Sequence, residues 1–210
     1  YYEYALTDAA IAAGTELALL PNIETIAPKN QRYRLELGRA ERLFATRQYT
    51  PARSSFEALR TVATGDDREL IQLRLAECDY YLKRQRLARE ALRPFTDRAS
   101  RQGEALYFYA IASRDVGDIG EFQRTVRRIV DEFPTQSWAE DALNSLAQYH
   151  LVHDDTEEQS DALFRELYSR YPKGNYAERA AWKAGWRAYR DGRYAETVQY
   201  FERAAHDFPR

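Results

Sequence analysis

No methionine occurs among the 210 residues, and Cys78 is the sole cysteine. One thiol cannot form an internal disulfide and does not make a zinc site. Glycine, with nine residues, and proline, with seven, are sparse for this length. A sandwich or barrel needs many tight turns, so that shortage argues against both. The longest apolar stretch, Ala9 to Pro21, is interrupted by Thr15 and Glu16. It is too short and too polar to span a membrane, and no signal peptide is visible. The net charge of −2 supplies no field that would gather nucleic acid. Starting at Tyr1 without a methionine, the sequence reads as a processed chain or an excised piece of a longer one.

What remains is a helix-forming composition. Hydrophobic residues make up 44% of the chain, enough for a core, and the 30% of charged residues are mixed in sign, unlike a disordered chain. Alanine, leucine, arginine and glutamate favour helix.

Superposing the chain on itself reveals a period. Three segments end alike, at Asp131-Glu-Phe-Pro134, Ser169-Arg-Tyr-Pro172 and His206-Asp-Phe-Pro209. Eight residues before each proline stands an apolar side chain, Val126, Phe164 or Phe201, and five before it another, Ile129, Leu167 or Ala204. The first two prolines are followed by matching segments, Ser137-Trp-Ala-Glu-Asp-Ala142 and Asn175-Tyr-Ala-Glu-Arg-Ala180. The anchors Phe56, Leu92, Val126, Phe164 and Phe201 are 36, 34, 38 and 37 residues apart. A period of this length is one helical hairpin per unit. A small residue such as Ala147 or Gly185 lets the second helix approach the first, and the proline ends the second helix. No hairpin buries its apolar face alone, so neighbours must stack.

This predicts an all-α chain, a right-handed α-solenoid of about five helix pairs plus one N-terminal helix. The pairs are 30–46 with 50–62, 66–82 with 86–97, 101–115 with 118–131, 136–150 with 155–170, and 175–190 with 194–207. Ser137 and Asn175 are expected N-caps. The extra helix covers about 7–19, because Tyr4-Ala-Leu-Thr-Asp-Ala-Ala10 aligns with Phe133-Pro-Thr-Gln-Ser-Trp-Ala139. Pro21 and Pro28 break what would be its partner helix, so residues 1–32 read as a partial repeat with an irregular link and 33–210 as the repeat domain. Neither end carries a polar cap of the kind a solenoid needs.

Chemistry is thinly represented. His150, His153, Asp154, Asp155, Glu157 and Glu158 form the densest group of potential metal ligands. Helix starts are normally acidic, however, and the group reads as a solvated turn. Trp182 and Trp186, four apart on one helix, could stack on sugars or peptides, but such spacing points first to packing between repeats. Among the tyrosines, Tyr107, Tyr109 and Tyr189 are placed to line a concave face. Lys83, Arg84, Arg86, Arg89, Arg93, Arg98 and Arg101 form a basic stretch diluted by Glu90 and Asp97, which reads as a solvated face and not as a polyanion site. Cys78, beside Ala76, reads as an inert buried thiol. No phosphate loop, serine elbow, paired zinc cysteines or HExxH occurs, so no catalytic residue, cofactor or metal is assigned.

Residues 33–210 resemble the tetratricopeptide repeat family, most clearly at Ala177 to Pro209, where Gly185, Gly192, Tyr194, Phe201, Ala204 and Pro209 fall at the family's spacings and Thr197 replaces one alanine. More narrowly, the run from Ala177 to Tyr194, the Phe-Pro and Tyr-Pro junctions, and Tyr33 to Phe44 resemble the superhelical scaffold that precedes the catalytic domain of bacterial soluble lytic murein transglycosylases. The junctions also resemble periplasmic tetratricopeptide lipoproteins of outer-membrane assembly and cell division. The first resemblance implies a periplasmic, non-catalytic scaffold acting on peptidoglycan, with its catalytic glutamate in a lysozyme-like domain outside these residues. The alternative is a free-standing adaptor for protein partners, able to associate end to end. Either way the first helices of the pairs are expected to hold a protein, peptide or glycan strand. By position, the groove residues are Arg74, Tyr81, Tyr107, Arg114, Gln148 and Arg187.

Overall fold

The computed structural model describes residues 1–19, 25–153 and 157–209. Among these, the chain is helical throughout and holds no strand. It divides into two compact units, Tyr1–Val116 and Gly117–Arg210.

The first unit contains α1 (Asp8–Leu19), α2 (Gln31–Ala45), α3 (Tyr49–Leu59), α4 (Asp66–Tyr81), α5 (Gln85–Leu92) and α6 (Gln102–Asp115). From α2 onward each helix packs on the next in sequence, and the first helices α4 and α6 also touch each other. The second unit contains α7 (Ile119–Glu132), α8 (Ser137–Leu151), α9 (Glu157–Arg170), α10 (Ala177–Arg190) and α11 (Tyr194–Asp207), again packed in chain order. These are the stacked hairpins of an α-solenoid, and apart from the end of α5 their bounds lie within three residues of those the periodicity predicts. Residues 25–27 have no regular structure, in keeping with the expected link; the earlier part of that link, 20–24, lies outside the described residues.

The recurring anchors form the core. Phe56, Leu92, Val126 and Phe164 are all buried, whereas Phe201 is only half-buried. Small residues do what the spacing requires. A Cβ on Gly185 would lie 2.8 Å from the Phe201 ring, so α11 sits directly on the α10 backbone. Ser160 on α9 donates a 3.0 Å hydrogen bond to the Ala147 carbonyl of α8. First helices end on one device: Arg47, Lys83, Gly117 and Gly192, each seven residues after a small core residue, have positive φ. Arg47, Lys83 and Gly192 donate their N–H to the carbonyls of Phe44, Tyr80 and Tyr189, closing the helix.

Two local expectations need correction. Ser137 is the first residue of α8, and Gln136 precedes it as N-cap without a side-chain bond; Tyr176, not Asn175, caps α10. The start of α10 is held by another helix, as described below. Side-chain capping occurs instead at Asn30, which accepts from the Tyr33 amide, and at Asp118, which accepts from the Glu121 amide. Helix α5 also stops early, at Leu92, because Pro94 carries the chain into a 3₁₀ turn at Arg93–Phe95.

Candidate functional site

Helix α10 buries a stripe of small residues, Ala177, Ala180, Ala181, Ala184, Gly185 and Ala188. At 3.6 residues per turn, Trp182, Trp186 and Tyr189 fall on the other side. All three are about half exposed, at 49, 45 and 51%. The two indoles are stacked, 5.9 Å apart and 5° from parallel, and Tyr189 stacks on Trp186 at 5.7 Å. Tyr194, at the start of α11, meets Tyr189 edge-on at 5.8 Å. The result is a continuous strip of four rings open to solvent.

Charges frame the strip. Lys183 lies 5.5 Å from the Trp182 ring centre. Arg187 is held by Glu157 and Asp191, and Arg190 also reaches Glu157. Trp182 and Trp186, expected to pack between repeats, do so only in part: Trp186 lines a cleft with Leu151 and Phe164 of the preceding repeat, yet both indoles keep about half of their surface open. Periodicity shows that α10 has two apolar stripes, but the alanine stripe is the one that permits close helix contact, and it excludes the indoles from the core.

Of the predicted groove residues, four belong to the first unit. Arg74 on α4 is mostly buried and gathers three carboxylates from three first helices. Its guanidinium lies 3.1 Å from Glu41 on α2, 2.6 Å from Glu77 on α4 and 2.8 Å from Glu104 on α6. It also stands over the Phe44 ring at 4.9 Å. One cation cannot neutralise three anions. Glu77 is fully buried with one oxygen unpartnered, and burial pushes its carboxyl up to about 8, with Arg74 opposing and Glu104 adding to the shift.

Near the ends of α4 and α6 the structure brings Tyr81 and Arg114 around a Tyr80–Asp115 hydrogen bond of 2.9 Å, while Tyr107 meets Phe108 edge-on. Tyr81 stacks on Tyr49 at 4.2 Å and meets Phe44 and Phe108 edge-on. Tyr109, expected on an open face, is instead buried, with Arg89 5.6 Å above its ring. In the second unit, Gln148 is half-buried on α8 and Arg187 belongs to the ion pairs beside the aromatic strip.

The remaining candidates are dispersed. His150 is buried with its ring 3.3 Å from the Gln123 amide, and His153 lies against the Tyr149 carbonyl at 2.6 Å. Burial lowers the pKa of His150. Glu157 is taken by arginines, Glu158 is exposed, and Asp154 and Asp155 lie outside the described residues. Among the described residues no three His, Cys, Asp or Glu side chains gather as metal ligands. In the basic stretch, Arg84 pairs with Asp79 and Arg89 bonds Ser113. Cys78 is fully buried and its thiol is pushed up to about 12 by burial and the neighbouring carboxylates. No described helix is long and apolar enough to cross a membrane.

The aromatic strip carried a sequence signal. Counting from the small core residues Ala110, Ala147 and Gly185, Tyr107 and Trp182 share one repeat position, Gln148 and Trp186 another, and Arg114 and Tyr189 a third. Repeat register thus pointed to all three rings as groove residues, and only the general rule that spaced aromatics are core argued otherwise.

No protein-family model and no curated protein matches the sequence. Solved structures do match the fold. A kinesin light chain from Podosopora anserina with nearly identical TPR-like repeats aligns over 84% of this chain and 94% of its own, at 15% identity and a TM-score of 0.59. MamA aligns over 80% and 93%, at 18% identity and 0.57. YrrB, a TPR protein with an unusual peptide-binding site, aligns over 83% and 86%, at 10% identity and 0.51. With helices packed in chain order, recurring small and aromatic anchors, and these neighbours, the chain has the fold of the tetratricopeptide repeat proteins.

Proposed function

We propose that this chain is a non-catalytic binding scaffold that holds an extended segment of a partner protein against the first helices of its repeats. The observation that carries this reading is the open strip of Trp182, Trp186, Tyr189 and Tyr194. Large rings with few rotatable bonds provide contact area at low entropic cost, and burying them drives association. The tetratricopeptide fold of YrrB, described as having a peptide-binding site, is consistent with that use. Tryptophan fluorescence titrated with a library of unstructured peptides tests the proposal. A binding peptide is expected to quench and shift the emission, and Trp186→Ala is expected to weaken binding by about tenfold or more, as for a central aromatic contact. Equal affinity in wild type and Trp186→Ala would reject the strip as the site.

A second reading is favoured by the parallel stacking of the two indoles, which offers flat faces of the kind that pyranose rings cover. It joins the likeness of residues 177–194 to transglycosylase scaffolds and proposes a periplasmic module that holds glycan strands of peptidoglycan for a catalytic domain elsewhere. Soluble N-acetylglucosamine oligomers in the same titration separate the readings: quenching by oligosaccharide and not by peptide supports the glycan, and the reverse supports the protein partner.

A further inference from the structure

The second helices of the second unit carry charges in register beside their anchors Val126, Phe164 and Phe201. One residue after the anchor stand Arg127 on α7 and Arg165 on α9. Two residues after it stand Glu166 on α9 and Arg203 on α11. Between α7 and α9 these two positions meet. Arg127 reaches Glu166 at 2.6 Å, and Arg170 of α9 holds the same carboxylate at 2.9 Å. One repeat on, the equivalent places are Arg165 and Arg203. A cation faces a carboxylate between α7 and α9, whereas two cations share the groove between α9 and α11.

That groove has a volume of about 330 Å³. Arg165 and Arg203 line it together with the hydroxyl-bearing Tyr168, Ser169 and Tyr200 and the amide of Gln199. Among the described residues its one carboxylate is Glu196, which is held by Arg193. Both walls, α9 and α11, pack on α10, so the groove is built within the second unit.

Neither arginine is saturated. Arg165 makes its ion pair along its own helix, with Asp161 at 3.0 Å, and its side chain is 43% exposed. Arg203 stands 5.4 Å from the Tyr168 ring centre and is 66% exposed. It lies 3.8 Å from Asp207, which already receives the Tyr168 hydroxyl at 3.1 Å. Among the described residues these contacts use only part of the five N–H donors that a guanidinium carries. Two like charges in one groove repel, and the groove one repeat earlier shows what relieves them: a carboxylate.

We infer that the α9–α11 groove takes a glutamate or aspartate side chain of a partner protein, in the place that Glu166 fills between α7 and α9. Arg165 and Arg203 bind its oxygens, Ser169 and Gln199 are further donors, and Tyr168 and Tyr200 pack on its apolar stem. The volume suits one or two side chains of an exposed acidic segment. The chain's net charge of −2 gives no general attraction for polyanions, so the preference is local. This contact lies on second helices and the aromatic strip on a first helix, which gives the scaffold two separate surfaces of different chemistry.

Fluorescence anisotropy of a labelled peptide of alternating glutamate and alanine, compared with its glutamine counterpart, tests this on the intact chain. The glutamate peptide is expected to bind more tightly, and added salt to weaken it. Arg203→Glu puts a carboxylate where Glu166 stands in the earlier groove. It is expected to weaken binding by about tenfold or more with unchanged circular dichroism. Arg165→Gln is expected to weaken it by about threefold, as for one exposed cation. Arg86→Glu makes the same charge change on the exposed side of α5 and is expected to leave the affinity as it is. Equal or undetectable binding of the two peptides overturns the proposal, as does binding that Arg203→Glu leaves intact or that Arg86→Glu weakens as much. Displacement by inorganic phosphate at lower concentration than by glutarate would assign the groove to phosphate and overturn the carboxylate. The probe carries no ring for the strip on α10, and Trp186 does not line this groove, so the two contacts fail or hold independently.

Discussion

The same repeat position is closed in the first unit and open in the second. Counting from the small core residue, Glu41, Glu77, Gln148 and Trp186 are equivalent. In the first unit two of these are carboxylates drawn in by Arg74, and the side chains of α2, α4 and α6 lock across one another. On α10 the position holds an indole that stays about half exposed. A shared hairpin geometry therefore does not fix what its first-helix face does. A cation placed among carboxylates turns the face into internal structure, and rings without such partners leave it free for a ligand.

The strongest way to break this contrast is to remove the cation. Arg74→Ala leaves three carboxylates facing one another, one of them fully buried, and is expected to destabilise the first unit by about 3–5 kcal/mol. Urea unfolding read by hydrogen exchange in α4 checks this; a loss confined to the second unit would contradict the assignment. Next come the anchors. Phe56→Ala is expected to cost about 3–5 kcal/mol. Phe201→Ala should cost distinctly less, because its ring lines an open groove between α10 and α11. Equal losses would mean that the α10–α11 face is already sealed.

A more gradual effect is pH-linked. The Glu77 carboxyl ionises near 8 when folded and near its ordinary 4.5 when unfolded. Between those values the folded chain holds the extra proton, so this group's contribution falls as pH rises, by at most about 1.4 kcal/mol per pH unit, and levels off above about 8. Glu77→Gln is expected to flatten that slope in denaturation series at successive pH values. An unchanged slope would place the proton elsewhere. The smallest expected effect on stability sharpens the comparison from the other side: Trp186→Ala should change unfolding by no more than about 0.5 kcal/mol, as at surface sites. A large loss in thermal denaturation would make the strip structural.

The architecture was legible because each hairpin repeats the same demands. A small residue is needed for close approach and an apolar anchor for the neighbouring groove, and in every hairpin but the first a proline stands two residues after the second helix. Helix bounds, the buried Cys78 and the close approach at Gly185 follow from those local rules. The site was less legible. Tyr81 and Arg114 meet around a tyrosine–aspartate bond whose partners are 35 residues apart, and the three carboxylates on Arg74 come from three different helices. A period gives the face on which such residues lie, but not which partners neutralise them. Asn175 looks like an N-cap for a similar reason: the residue that holds the start of α10 is Glu140, a full repeat away.

The sequence by itself determined the hairpins, their order and their core, because helix period, small-residue contacts and helix-ending prolines act over a few residues or between immediate neighbours. Only the tertiary structure decided which of the two apolar stripes on α10 is buried and where the Arg74 charge is spent. Those outcomes depend on competition between groups distant in the chain for the same space and the same charge, and that competition is resolved only when the helices are packed.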